Sequence, residues 1–163
     1  MYCHQEFCSL TSETLWVYDE LVKQKILLQL TENSVQLFHH LKVEKLLYVS
    51  ASYTRGKRVS SFVKYLKDGS PEYGNIETFV QVDTCRCSQP CSCKLKHLAV
   101  IRRLQPTVAF QSNTVTVNHV IQCHLPNIGV DIVGFKSLLF PVYKSMVSDN
   151  IYLSVPLNQF ELE

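Results

Sequence analysis

The hydrophobic and polar positions of the first 45 residues repeat at helical spacing. Thr11 or Ser12 is a suitable N-cap, and Leu15, Tyr18 and Leu21 then recur three residues apart. A second set at helical spacing predicts another short helix, and its apolar members are Val35, Leu37, Phe38 and Leu41. We therefore expect a short helical N-terminal appendage over residues 1–45.

From Leu46 onward the pattern changes to short runs of strand-forming residues separated by turns. Runs of this kind cover residues 46–53, 59–66, 73–82, 98–104, 114–123, 130–133, 137–143 and 151–155. Gln105 and Pro106 are expected to end the fourth run. Short strands at this spacing indicate a mostly antiparallel small β-barrel or twisted sheet. The expected fold class is α+β, with a β-barrel-like domain at 46–163 and a Cys-rich hairpin loop at 84–97.

Composition narrows the class of protein further. The chain has 163 residues, of which 46% are hydrophobic and 18% charged, and its net charge is +2. This indicates a globular chain and argues against disorder. No apolar run approaches the roughly 18 residues of a membrane-spanning helix, and the first residues lack the pattern of a signal peptide. We expect an intracellular protein with no membrane partner.

The densest cluster of chemically reactive side chains is a cysteine loop. Four of the seven cysteines lie within nine residues, and they are Cys85, Cys87, Cys91 and Cys93. Zinc prefers tetrahedral sulfur and nitrogen ligands, and an odd cysteine count without a secretion signal argues against a disulfide framework. The loop therefore predicts a zinc site, while free thiols and a regulatory disulfide remain the alternatives.

A hairpin argument adds two candidate ligands. If residues 98–104 and 114–123 form a hairpin with its turn near 108–112, Cys123 and His124 lie beside His97, at the root of the Cys loop. This makes Cys123 or His124 an alternative to one of the loop cysteines as a zinc ligand.

The charge pattern suggests a second kind of site. No acidic residue occurs between Asp83 and Asp131, and the first hairpin is basic as well. We predict that five cations lie on one exposed β face, and these are Arg55, Lys57, Arg58, Arg102 and Arg103. Basic strands with interleaved aromatic side chains can follow a phosphate backbone and stack on bases.

Several short sequence segments in the second part of the chain together resemble a known protein family. They are residues 47–50, 53–55, 61–65, 73–79 and 98–101, and the chain ends with residues 152–163. Together they resemble the C-terminal β-rich segment of transposon-encoded proteins of animal genomes. The resemblance covers about residues 40–163 and implies a nuclear, element-derived accessory module. The acidic catalytic core that such transposases carry upstream is absent from these residues, so the resemblance implies no cutting or joining chemistry.

No enzyme signature accompanies these features, because the chain has no phosphate-binding loop, no nucleophile elbow and no zinc-protease motif. We therefore expect a non-catalytic nuclear module that contacts DNA or chromatin through a basic β face. The alternative is a protein-interaction or structural domain that is braced by a zinc-binding Cys loop.

Overall fold

The computed structural model describes residues 15–26, 35–53, 60–83, 95–112, 115–124, 129–148 and 150–156. They form one helix, α1 (Leu15–Lys23), and eleven strands. The first strands are β1 (Val35–Phe38), β2 (His40–Val43), β3 (Leu46–Val49), β4 (Phe62–Lys67) and β5 (Ser70–Val82). They are followed by β6 (Lys96–Ser112), β7 (Val115–His124), β8 (Val130–Gly134), β9 (Leu138–Pro141), β10 (Tyr143–Val147) and β11 (Asn150–Ser154). The expectation of a mostly antiparallel sheet with a short helix is confirmed.

Nine of the strands form one sheet, in which the main order is β10-β11-β7-β6-β5-β4-β9. Strand β1 pairs with the second half of β5, and β8 pairs with the first half of β6. The β2–β3 hairpin forms a separate two-stranded sheet. Every pairing in the described part of the chain is antiparallel.

The sheet is strongly curled but remains open. Strands β8 and β9 lie beside different strands, β6 and β4, yet only a single 3-10 turn at Phe135–Ser137 connects them. Because no ladder among the described strands joins β8 to β9, the sheet does not close into a barrel. Of the two expected architectures, the twisted sheet is therefore the correct one.

The second predicted helix is wrong. Residues 35–43 form β1 and β2, and β1 adds to the main sheet beside β5. Val35 and Leu37 lie two residues apart and pack with the buried face of α1, where Val17 and Leu21 contribute. Residues two apart on a strand share a face, so the strand puts both side chains against α1. The apolar residues of this segment fit this strand period as well as the helical one.

Among the described residues, three clusters make up the hydrophobic core, and β6 contributes to each of them. Ala99 and Ile101 face the β2–β3 hairpin, whereas Val100 faces α1. Leu104 belongs to a third cluster, in which side chains of β7 and β11 pack against β4 and β5. Within the described residues, no helix is long and apolar enough to cross a membrane.

Candidate nucleic-acid interface

The structure places only some of the predicted site residues. Arg55, Lys57 and Arg58 lie outside the described residues, and so do the four loop cysteines, Cys85, Cys87, Cys91 and Cys93. Arg102, Arg103, Cys123 and His124 are described, and each occupies a β-strand. The nucleic-acid and zinc roles of all these residues stay predictions.

Arg102 and Arg103 do not share a face, so the single-face prediction is wrong for this pair. They are consecutive residues of β6, and successive side chains of a strand point to opposite faces. The guanidinium of Arg102 lies 2.9 Å from the carboxylate of Glu77, and half of its side chain remains exposed. Arg103 points to the other face, towards Asp131.

Asp131 is the centre of a buried ion-pair cluster. Arg103 donates from Nε and Nη2 to the two carboxylate oxygens, over 2.8 and 2.6 Å. The Tyr65 hydroxyl donates to Oδ2 over 2.6 Å, and the Lys67 ammonium donates to Oδ1. Asp131 is only 4% exposed, so four donors compensate for the loss of water around its charge. We call Tyr65, Lys67, Arg103 and Asp131 the Asp131 cluster.

Strand alternation explains how the Asp131 cluster assembles. Tyr65 and Lys67 are two residues apart on β4, so their side chains share a face. Asp131 pairs with Ile101 across β6 and β8, and Arg103 follows Ile101 on the same face. The curl of the sheet brings these two groups together inside the fold. The Asp131 cluster therefore links β4 and β6 to β8, which lies at an edge of the sheet.

The electrostatics of the Asp131 cluster favour the ionised carboxylate. Burial alone raises the pKa of Asp131, but the hydrogen bonds from Arg103, Lys67 and Tyr65 outweigh burial and lower it to about 2. Burial, together with donation to Asp131, raises the pKa of Tyr65 far above its usual value. The carboxylate thus pairs with Nε and Nη2 of the partly exposed Arg103 guanidinium, which leaves Arg103 poorly placed to bind a phosphate.

A cavity of about 330 Å³ opens beside the Asp131 cluster. Its charged lining consists of Lys67, Asp68 and Asp131, and apolar side chains such as Leu66 and Ile132 complete the wall. Because charges of both signs line it, the cavity presents no uniform field that would select an anion or a cation.

The structure instead brings together a basic and aromatic surface that the sequence did not single out. The ammonium of Lys64 lies 5.6 Å from the ring centroid of Tyr73 and 5.5 Å from that of Phe140. The ammonium of Lys144 lies 5.2 Å from the ring centroid of Phe62. These distances are typical of cation–π contacts. We call Phe62, Lys64, Tyr73, Phe140 and Lys144 the lysine–aromatic surface.

The sheet register builds the lysine–aromatic surface. Lys64 pairs with Tyr73 on one side and with Phe140 on the other, so both rings flank its side chain. Phe62 lies two residues before Lys64, on the same face of β4. The amide of Val142 donates to the Phe62 carbonyl over 2.9 Å, which places the start of β10, and with it Lys144, beside Phe62. Among the described residues, neither Lys64 nor Lys144 forms an ion pair with a carboxylate.

The predicted register of the β6–β7 hairpin is wrong. Pro106 pairs with Cys123, and Gln105 pairs with His124, because β6 continues to Ser112 instead of ending at Pro106. The ladder shifts between Pro106 and Val108, and such a bulge tolerates a residue that lacks an N–H donor. His97 consequently lies eight strand positions from Gln105, roughly 26 Å along an extended strand.

This register separates Cys123 and His124 from the root of the Cys loop. Cys123 is fully buried in the third core cluster, and burial raises the pKa of its thiol to about 11, which disfavours the thiolate that binds metals. At the root, Nε2 of His97 lies 3.1 Å from the Gln81 side-chain oxygen, and burial lowers the pKa of the imidazole. In the described part of the chain, no group of three or more metal-binding side chains comes together.

Comparisons with protein-family models, with curated proteins and with solved structures gave no match to this chain. The resemblance to transposon-encoded proteins therefore stays a prediction.

Proposed function

We propose that this chain is a non-catalytic nuclear module, derived from a transposable element, that contacts the backbone of DNA, free or in chromatin. The observation that carries the proposal is the lysine–aromatic surface. Its two ammonium groups are held in place by aromatic rings and have no carboxylate partner among the described residues. Positioned cations of this kind are what a phosphate backbone binds.

The sequence adds charge next to this surface. Arg55, Lys57 and Arg58 precede Ser60 by a few residues, and β4 with Lys64 begins directly afterwards. In the sequence, these three predicted phosphate contacts therefore come just before Phe62, whose ring lies beneath Lys144. In contrast, Arg102 and Arg103 are paired with Glu77 and Asp131. The proposed interface thus keeps the first three predicted residues and adds Lys64 and Lys144.

The proposal is tested by the salt dependence of binding to a fluorescent DNA duplex, measured by anisotropy. Each phosphate contact that is lost should reduce the slope of log affinity against log salt by about 0.9. The double variant K64Q/K144Q should therefore show a slope smaller by about 2 and weaker binding at low salt. The control variant K42Q/K136Q removes the same charge from exposed lysines elsewhere and should retain the wild-type slope. Equal slopes in the two double variants, or no binding at low salt, would contradict the proposal.

A further inference from the structure

Strand β10 is an exposed edge of the main sheet. It is the last strand in the order and pairs only with β11 among the described strands. All five of its residues are exposed, and Tyr143, Met146 and Val147 each leave more than half of their side chain accessible. Natural edge strands are usually covered, bulged, interrupted by proline or protected by charged side chains, and within its five residues β10 carries only the last of these, Lys144.

The hydrogen-bond pattern of the hairpin shows which backbone groups point outwards. Val147 and Asn150 form the pair closest to the two connecting residues, so they exchange hydrogen bonds, and alternate pairs do so from there. Ser145 and Tyr143 therefore bond to β11, whereas the N–H and C=O groups of Lys144 and Met146 point away from it. Val142 confirms this parity, because its N–H points away from β11 and donates to Phe62.

We infer that β10 pairs antiparallel with the β10 of a second copy of this chain, about a two-fold axis at Ser145. This register places Lys144 opposite Met146 of the other copy. Both residues have outward-pointing N–H and C=O groups, so the two such pairs of the dimer exchange four backbone hydrogen bonds.

The side chains favour this register over the one with its axis at Lys144. Tyr143 lies opposite Val147 of the other copy, which brings together two large exposed apolar side chains. A two-fold axis at Lys144 would instead place two ammonium groups directly opposite each other, which is unfavourable. Pairing of β10 with itself therefore covers its apolar residues. It also keeps the Lys144 ammonium away from the Lys144 ammonium of the other copy.

The size of the strand sets the strength of the association. A contact of five residues on each side is smaller than the roughly 1,200 Å² of stable interfaces, so the dimer is weak and depends on concentration. The inference goes beyond the proposed function and does not rest on it, because the backbone pairing requires no DNA. Lys144 belongs to both proposed contacts, so dimerisation is measured without DNA.

Sedimentation velocity of the full chain without DNA, over a concentration series reaching about 1 mM, tests the pairing. The variant Met146→Lys places a second ammonium opposite Lys144 of the other copy and should weaken dimerisation at least about tenfold. The double variant K144E/M146K restores opposite charges across the same pair and should recover the dimer.

The variant Leu47→Lys introduces the same charge at an exposed residue of β3 and serves as the matched control. It should leave dimerisation unchanged. A wild-type chain that stays monomeric throughout the series would overturn the inference, and so would equal weakening by M146K and L47K. Failure of K144E/M146K to recover the dimer would reject the register with its axis at Ser145. Circular dichroism of each variant checks that the fold is retained.

Discussion

At the scale of single residues, we expect the Asp131 side chain to contribute strongly to the free energy of unfolding. Replacing Asp131 with Asn removes the charge that Arg103 and Lys67 share. We expect a loss of about 3 kcal/mol of unfolding free energy, at the low end for a broken buried ion pair, because both cations keep partial access to water. Urea denaturation measures the difference. The control Glu77→Gln breaks the more exposed pair with Arg102 and should cost less than about 1 kcal/mol. Equal losses in the two variants would contradict this prediction.

The pKa of Asp131 also sets how the stability of the fold depends on pH in the acidic range. The pKa of Asp131 is about 2 in the folded chain, below the value of about 4 expected when it is unfolded. Its stabilising contribution is therefore complete above about pH 4 and is lost as the pH falls towards 2. Urea midpoints of the wild type and Asp131→Asn, compared between pH 7 and pH 2, should converge only in this acidic range. A difference that is constant across the whole series would be inconsistent with the ionised cluster.

At Gly74 the effect of a substitution on stability is steric rather than electrostatic. A Cβ atom at Gly74 would lie 2.8 Å from the backbone oxygen of Arg102 and would also collide with the Ile101 side chain. Gly74→Ala should thus cost about 1–3 kcal/mol through overpacking. Gly134 is the matched control, because it has an ordinary extended backbone and open space around its Cβ position. Gly134→Ala should be tolerated, and thermal melts that rank the two variants the other way would contradict the packing argument.

At the scale of elements, the sequence predicted the strands from β3 onward better than the first ones. Turn residues bounded β4, β5 and β7 closely, because hairpin chemistry is local. The sequence pattern predicts a helix where β1 and β2 form, since four apolar residues in a short window fit both the helical and the strand period. Pro106 predicts the end of a strand, but β6 continues past it because a bulge, which depends on the partner strand, accommodates the proline.

The Cys loop between β5 and β6 carries the remaining element-scale prediction. If Cys85, Cys87, Cys91 and Cys93 bind zinc, protein purified under reducing conditions should contain about one equivalent of the metal. The variant C85S/C87S should lose it, whereas C3S/C8S should retain it. Because hydrophobic clusters hold the sheet together, metal loss should loosen the loop and leave the thermal midpoint nearly unchanged. Less than about one-tenth of an equivalent in the wild type, with all seven thiols freely titratable in the native state, would leave the free-thiol alternative.

At the scale of the whole molecule, the candidate interface was only partly predictable. Strand alternation alone excludes a common face for Arg102 and Arg103, so this could have been seen in the sequence. Asp131 is also recognisable in the sequence, because it is the first acidic residue after a long stretch without one. Only the fold shows that Asp131 pairs with Arg103. The position of Lys144 over Phe62 depends on the path of β10, and no local pattern encodes it.

The 17-residue strand β6 has a consequence for how the molecule opens. Its first half is paired on both sides, with β5 and β8, its second half pairs with β7, and all three core clusters take a residue from it. No cluster can therefore detach without disrupting a strand that the others share, so we expect one cooperative unit instead of two subdomains. Hydrogen–deuterium exchange should show the amides of residues 98–104 as the slowest, exchanging only through global unfolding, while β10 exchanges early. A lower opening free energy for the β7–β11 part, separate from that of the β4–β5 part, would reveal two independently unfolding halves.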